Sequence, residues 1–187
     1  MRVISGSARG RKLLSLEGEA TRPTTDRVKE SMFNLCMDYV PSAAVLDLFA
    51  GSGALGIEAL SRGANKCTFV ENKSDALEIV RKNLENTRLS ERARIYRGDA
   101  FSFLENTTET YSLVFLDPPY DSGFYTPVLA KLSEKALLRQ DGLVVMEMRA
   151  DMEISLPEGF SVLKERIYGK IKILLIVTGK KGEERHD

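Results

Sequence analysis

Four consecutive residues, Asp117-Pro118-Pro119-Tyr120, combine groups suited to holding an aromatic amine. The Asp117 carboxylate and the Pro118 carbonyl can both accept from one exocyclic NH2 group, and the Tyr120 ring can stack on a planar base. Two prolines fix φ and leave few backbone donors, so the loop is rigid and carbonyl-rich. An aromatic amine is a poor nucleophile because its lone pair is delocalised into the ring. Acceptors that grip its protons favour a pyramidal nitrogen with the lone pair aimed at an electrophilic methyl group. That reaction needs alignment more than a strong base, and alignment contributes up to about 7–11 kcal/mol. The bland alternative is a proline-rich turn with a buried tyrosine.

Upstream, Gly51, Gly53 and Gly56 form a literal GxGxxG between an apolar run and a helical pattern, the context in which such a loop binds a ribose-bearing cofactor. The spacing alone does not choose between a nicotinamide dinucleotide and S-adenosylmethionine. Asp47 helps to choose. Four residues before Gly51, its carboxylate would repel a pyrophosphate and attract an ammonium and a sulfonium. Asp47 could instead cap local backbone amides. Glu71 ends the next strand, ready for ribose hydroxyls. Asp99 follows the third, where it could accept from an adenine amine or cap a helix. In series, Asp47, Glu71 and Asp99 mark the carboxyl ends of three successive strands, where open α/β sheets bind ligands.

The elements that must carry these groups are legible as alternating units. Strands are expected at 45–49, 66–71, 93–98, 112–117 and 142–148, with helices at 54–62, 74–86, 101–104 and 125–138. A helix is expected from Asp26, stopped by Pro41, with Val28, Met32, Leu35, Cys36 and Tyr39 on one face. Residues 160–178 read as two strands around a turn near Gly169-Lys170. Repeated β-α units imply a parallel sheet with helices on both faces, and the final hairpin adds an antiparallel strand. Residues 1–16 read as two short strands about a Gly/Ser-rich turn. They carry Arg2, Arg9, Arg11 and Lys12 and no acid, so the hairpin is either a solvated edge or a phosphate-binding arm.

Composition narrows the chemistry. The chain has 187 residues, of which 43% are hydrophobic and 29% charged, and these globular values exclude disorder and coiled coil. The single histidine, His186, sits in the charged tail, which argues against a His-dependent triad or an ordinary zinc site. No metal is expected. Cys36 and Cys67 read as reduced thiols of a cytoplasmic protein. The longest apolar run, 171–177, is broken by Lys172 and falls far short of the ~20 residues of a membrane span.

DLFAGSG (47–53), FVEN (69–72), GDA (98–100) and DPPY (117–120) resemble the class I S-adenosylmethionine-dependent methyltransferases that modify exocyclic amines. RVISGSARGRKL (2–13), RPTTDRVKESMFN (22–34) and LGIEALSRGA (55–64) are similar to the bacterial RsmD family, which methylates a guanine N2 amine in 16S rRNA. The resemblance implies a Rossmann-like α/β fold with a seven-stranded sheet ordered 3-2-1-4-5-7-6. It implies a basic N-terminal β-hairpin appendage over 1–22 and a methyltransferase domain over 23–187. It implies that Asp47, Phe49, Gly51, Ser52, Gly53, Glu71, Asn72, Asp99 and Ala100 surround S-adenosylmethionine, and that Asp117, Pro118, Pro119 and Tyr120 hold the guanine. Arg22, Thr24 and Arg27, with Arg9, Arg11 and Lys12, would meet RNA, within an assembled or assembling small subunit. A monomer is expected. The competing readings are an adenine-N6 methyltransferase, an NAD-linked oxidoreductase and a non-catalytic RNA-binding module. Asp47 and the intact 117–120 loop argue against the last two.

Overall fold

Side-chain alternation along the central strands divides the interior into two layers. Val45, Leu113, Phe115, Val145 and Ile173 face one, and Leu46, Val114, Leu116, Met146 and Leu174 face the other. Strands apolar on both faces belong inside a covered parallel sheet. The computed structural model, which describes residues 1–15, 26–119 and 122–178, shows such a sheet. Its strands are β1 (Ala44–Asp47), β2 (Lys66–Glu71), β3 (Ala93–Arg97), β4 (Tyr111–Leu116), β5 (Leu138–Arg149), β6 (Phe160–Tyr168) and β7 (Ile171–Thr178). They stand in the order β3-β2-β1-β4-β5-β7-β6, as the family resemblance implies. The first five run parallel, and β7 is antiparallel to both of its neighbours.

Helices α1 (Asp26–Leu35), α2 (Ala54–Ser61) and α3 (Ser74–Thr87) cover the first layer; α4 (Ala100–Asn106) and α5 (Tyr125–Glu134) cover the second. The chain leaves β1 for β2 on one side, while β4 lies on the other. The strand order therefore switches between β1 and β4, and the crevice beyond their carboxyl ends is the position that favours ligands in open α/β sheets.

Boundaries differ where a tertiary contact overrides the local pattern. Helix α1 ends at Leu35, not at Pro41, and Met37–Tyr39 continue as one 3-10 turn. Helix α5 ends at Glu134 because Ala136 takes φ +50°, and the chain enters β5 at Leu138 rather than at Gly142. The N-terminal hairpin makes one antiparallel bridge, Arg2 to Lys12, in place of two strands.

All eight residues of α2 are buried. The sheet covers one side, and residues 3–8 lie across the other, with Val3 and Ala8 in the same core as Ile57 and Leu60. Gly6 makes that crossing possible. Its φ is +83°, and a Cβ there would stand 1.8 Å from the Ser61 carbonyl oxygen. Inside the junction Glu58 is fully buried. It accepts from Ile4 N (2.8 Å) and Ser5 N (3.0 Å), and it pairs with Lys29 (3.0 Å) and Arg62 (2.8 Å). Lys29, also fully buried, donates to the Arg2 carbonyl (2.7 Å).

Both cysteines are free and buried, and burial pushes the Cys36 thiol up to about 12. No helix among the described residues is long and apolar enough to cross a membrane.

Candidate active site

The strand register brings the acidic residues to one edge. Asp47 pairs with Phe69 and Phe115, and Glu71 pairs with Arg97. Glu71 and Asp117 therefore lie two residues beyond the partners of Asp47, and Asp99 two residues beyond the partner of Glu71, all at the carboxyl end of the sheet. The glycine loop crosses the same edge between β1 and α2. Gly51 and Gly53 take φ of +51° and +78°, the left-handed region that glycine adopts without strain, and nothing lies within 4 Å of a Cβ built on Gly51. Gly56 serves packing instead. A Cβ there would meet the Phe69 ring at 2.3 Å and the Cys67 sulfur at 2.6 Å, so its absence lets α2 lie close on β2.

The carboxylates also brace the loop. Asp47 is 3% exposed, and its Oδ2 accepts from Gly56 N at 2.9 Å. This is the local amide cap that the sequence left open beside a role toward the cofactor. Glu71 accepts from Gly51 N (3.0 Å) through Oε2, and from Asn72 N and Lys73 N (both 2.9 Å) through Oε1. Asp99 caps α4 by accepting from Ser102 N at 3.0 Å, and Ala100 opens that helix. Ser52 presents its carbonyl to the Asn83 side chain at 2.9 Å. A carboxylate has about four lone-pair sites, so each acid can brace its loop and still accept from a ligand. Open space at Gly51, three acids along the edge and a half-buried glycine turn fit a cofactor with a cationic end, ribose hydroxyls and an adenine amine.

Burial pushes the Asp47 carboxyl up to about 7, the Gly56 N–H opposes the shift and the neighbouring Glu71 charge adds to it. An unfolded aspartate titrates near 3.9. Between those values the folded chain binds more protons than the unfolded one, so stability falls as pH rises through the window. Asp47→Asn can still accept from Gly56 N–H but does not titrate. Urea unfolding from about pH 5 to about pH 8 should show wild type losing stability relative to this variant. Parallel pH profiles would contradict the assignment.

Pro118 is buried and Pro119 exposed, with the Pro119 carbonyl accepting from Ser122 N at 3.0 Å. Asp117 is half-buried beside them. Tyr120, Arg22 and Thr24 lie outside the described residues. Phe49 stacks on Phe124 at 5.8 Å, and Phe101 meets Phe124 edge-on at 5.2 Å. Phe124 links the exit of the 117–120 loop to the ends of β1 and β3. The sequence reading missed it, although an aromatic four residues past Tyr120 was visible. It also missed Glu58, Lys29 and Asn83. Glu58 had a signal, the lone acid in an otherwise apolar helix.

Arg9, Arg11, Lys12 and Arg27 are exposed. A cleft of about 430 Å³ between the N-terminal segment and the start of α1 is lined by Arg2, Arg9, Arg27, Asp26 and Glu30. Among the described residues no group of three His, Cys, Asp or Glu side chains could hold a metal.

A protein family described as Conserved hypothetical protein 95 matches residues 1–177. YlbH of Bacillus subtilis is 45% identical over 161 residues, 84% of this chain and 86% of that protein. Ribosomal RNA small subunit methyltransferase D of Haemophilus influenzae is 38% identical over 178 residues, 94% and 92% of the two chains. Among solved structures, yhhF from Escherichia coli superposes with a TM-score of 0.87 at 34% identity, covering 96% of this chain and 98% of that one.

Proposed function

The chain belongs to the Conserved hypothetical protein 95 family, the RsmD family that its motifs resemble, and from that premise we propose that it methylates the N2 amine of a guanine in 16S rRNA. The observation that carries the reading is the register. It sets the Asp117-Pro118 loop at the end of β4 against the Asp47 end of β1 and the glycine loop, so an amine held at one faces a cofactor held at the other. The Haemophilus influenzae and Escherichia coli relatives named Ribosomal RNA small subunit methyltransferase D support the substrate class.

S-adenosylmethionine, when bound, supplies a methyl group on a sulfonium. Asp47 offers negative charge toward its cationic end, with Phe49, Gly51, Ser52 and Gly53 around it. Glu71 and Asn72 take the ribose, and Asp99 and the Ala100 amide take adenine. Asp117 and the Pro118 carbonyl would accept from the guanine amine and turn its lone pair toward the methyl group, with Pro119 beside them; stacking on the base is the role proposed for Tyr120. Asp117 accepts most strongly as the nitrogen pyramidalises, and the amine proton then leaves to solvent. The enzyme works as a monomer on assembled or assembling small subunits in the cytoplasm. Purified protein given labelled S-adenosylmethionine and small subunits from cells lacking the gene should yield labelled N2-methylguanosine. Label recovered only as N6-methyladenosine would overturn the guanine assignment.

Arg9, Arg11, Lys12, Arg22, Thr24 and Arg27 form the RNA side. If Arg9, Arg11 and Lys12 neutralise about three phosphates, log affinity should fall with log salt at a slope of about −2 from these residues. Replacing all three by glutamine should flatten the slope by that amount and leave S-adenosylhomocysteine binding unchanged. An unchanged slope returns the hairpin to a solvated edge.

A further inference from the structure

Asn83 lies on α3 and is fully buried. Its side chain is spent outside its own helix. Nδ2 donates to the Ser52 carbonyl (2.9 Å) and to the Leu14 carbonyl (3.0 Å), and Oδ1 accepts from Leu14 N (2.8 Å). One planar amide thus joins the glycine loop to the end of the basic N-terminal segment. Asn86, three residues on, donates to the Lys12 carbonyl (2.8 Å) and so holds the same segment by a separate bond. Displacing either the loop or the segment strands buried polar groups of Asn83, which is unfavourable.

We propose that Asn83 is a positioning residue that couples cofactor occupancy of the glycine loop to RNA binding by the N-terminal arm. The inference rests on the methyl-transfer reading above, because it needs one ligand at Ser52 and a polyanion at Arg9, Arg11 and Lys12. A ligand that orders Ser52 orders Asn83, and with it the backbone of Leu14. RNA then meets an arm that has already lost part of its freedom. By linkage, RNA tightens cofactor binding by the same factor.

The test measures affinity for small ribosomal subunits from cells lacking the gene, with and without saturating S-adenosylhomocysteine, using the full chain. Wild type should bind RNA at least about fivefold more tightly when the cofactor product is present, the lower end of usual couplings. Asn83→Ala should bring that ratio close to one. Asn86→Ala is the control for a merely structural role: it should weaken RNA binding in both conditions and keep the ratio. Amide hydrogen exchange gives a second readout. S-adenosylhomocysteine alone should slow exchange at Leu14 N–H in wild type and in Asn86→Ala, but not in Asn83→Ala. If Asn83→Ala does not fold, Asn83→Asp keeps the acceptor for Leu14 N–H, lacks both donors, and should lose the ratio likewise. A wild-type ratio of one, or a fivefold ratio surviving in the Asn83 variant, overturns the coupling alone. Failure of wild type to bind either ligand overturns this inference and the methyl-transfer reading together.

Discussion

Asp117→Ala is expected to slow methyl transfer in a single turnover at least about tenfold, equivalent to ~1.4 kcal/mol of barrier. The carboxylate stands at the carboxyl end of β4, against the Asp47 end of β1. Its acceptor contributes most when the amine nitrogen has pyramidalised and its N–H groups have become more acidic. The loss should therefore fall on the transition state rather than on substrate binding. S-adenosylhomocysteine affinity, read by calorimetry, should stay at the wild-type value because the proposed mechanism uses Asp117 for the acceptor base. The Pro118 carbonyl remains, which limits the loss. Asp117→Asn should fall between the two, since its oxygen still accepts while its NH2 opposes the guanine amine. Wild-type single-turnover rates in Asp117→Ala would remove the carboxylate from the mechanism.

Glu58→Ala should produce the largest loss of stability. Glu58 and Lys29 are both fully buried, 3.0 Å apart, and the acid also receives the Ile4 and Ser5 amides. Removing one partner of a buried pair typically destabilises by about 3–5 kcal/mol. For a chain of this size that is a fall in melting temperature of about 6–20 °C. Burial already lowers the Lys29 pKa, and the nearby Glu58 charge and hydrogen bond oppose that shift. Without Glu58 the amine gives up its proton at still lower pH, so the deficit of the variant should shrink as pH is raised. The double variant Glu58→Leu, Lys29→Met should stay destabilised, although hydrophobic replacement of a buried pair is often neutral, because Ile4 and Ser5 lose their acceptor. A full recovery would mean that the two amides contribute nothing.

The elements around the sheet were readable because each carries its own local signal. The short apolar runs of the central strands, the 74–86 helical face and the closing hairpin about Gly169 all follow from local pattern. Misplaced boundaries lie where packing decides. Pro41 could stop a helix, but α1 had already ended at Leu35, where the chain turns to bring Cys36 and Val40 into the core. At the site, Asp47, Glu71, Asp99 and Asp117 were visible from their positions after strands. Their bracing of Gly56, Gly51 and Ser102 amides was visible only in part, as the caps weighed for Asp47 and Asp99. The junction of Glu58, Lys29 and Asn83 with residues 2–14 was not visible. It joins segments 27 to 69 residues apart through single polar side chains, and no periodicity reports such a contact.

The proposed activity of this chain is transfer of a methyl group to a guanine N2 amine of 16S rRNA. Mass spectrometry of nucleosides from 16S rRNA of cells with and without the gene tests it most directly. The account predicts that deletion removes one N2-methylguanosine, that the intact gene restores it, and that the gene carrying Asp117→Ala does not restore it in full. An unchanged N2-methylguanosine content after deletion, with loss of a different methylated nucleoside, would contradict it.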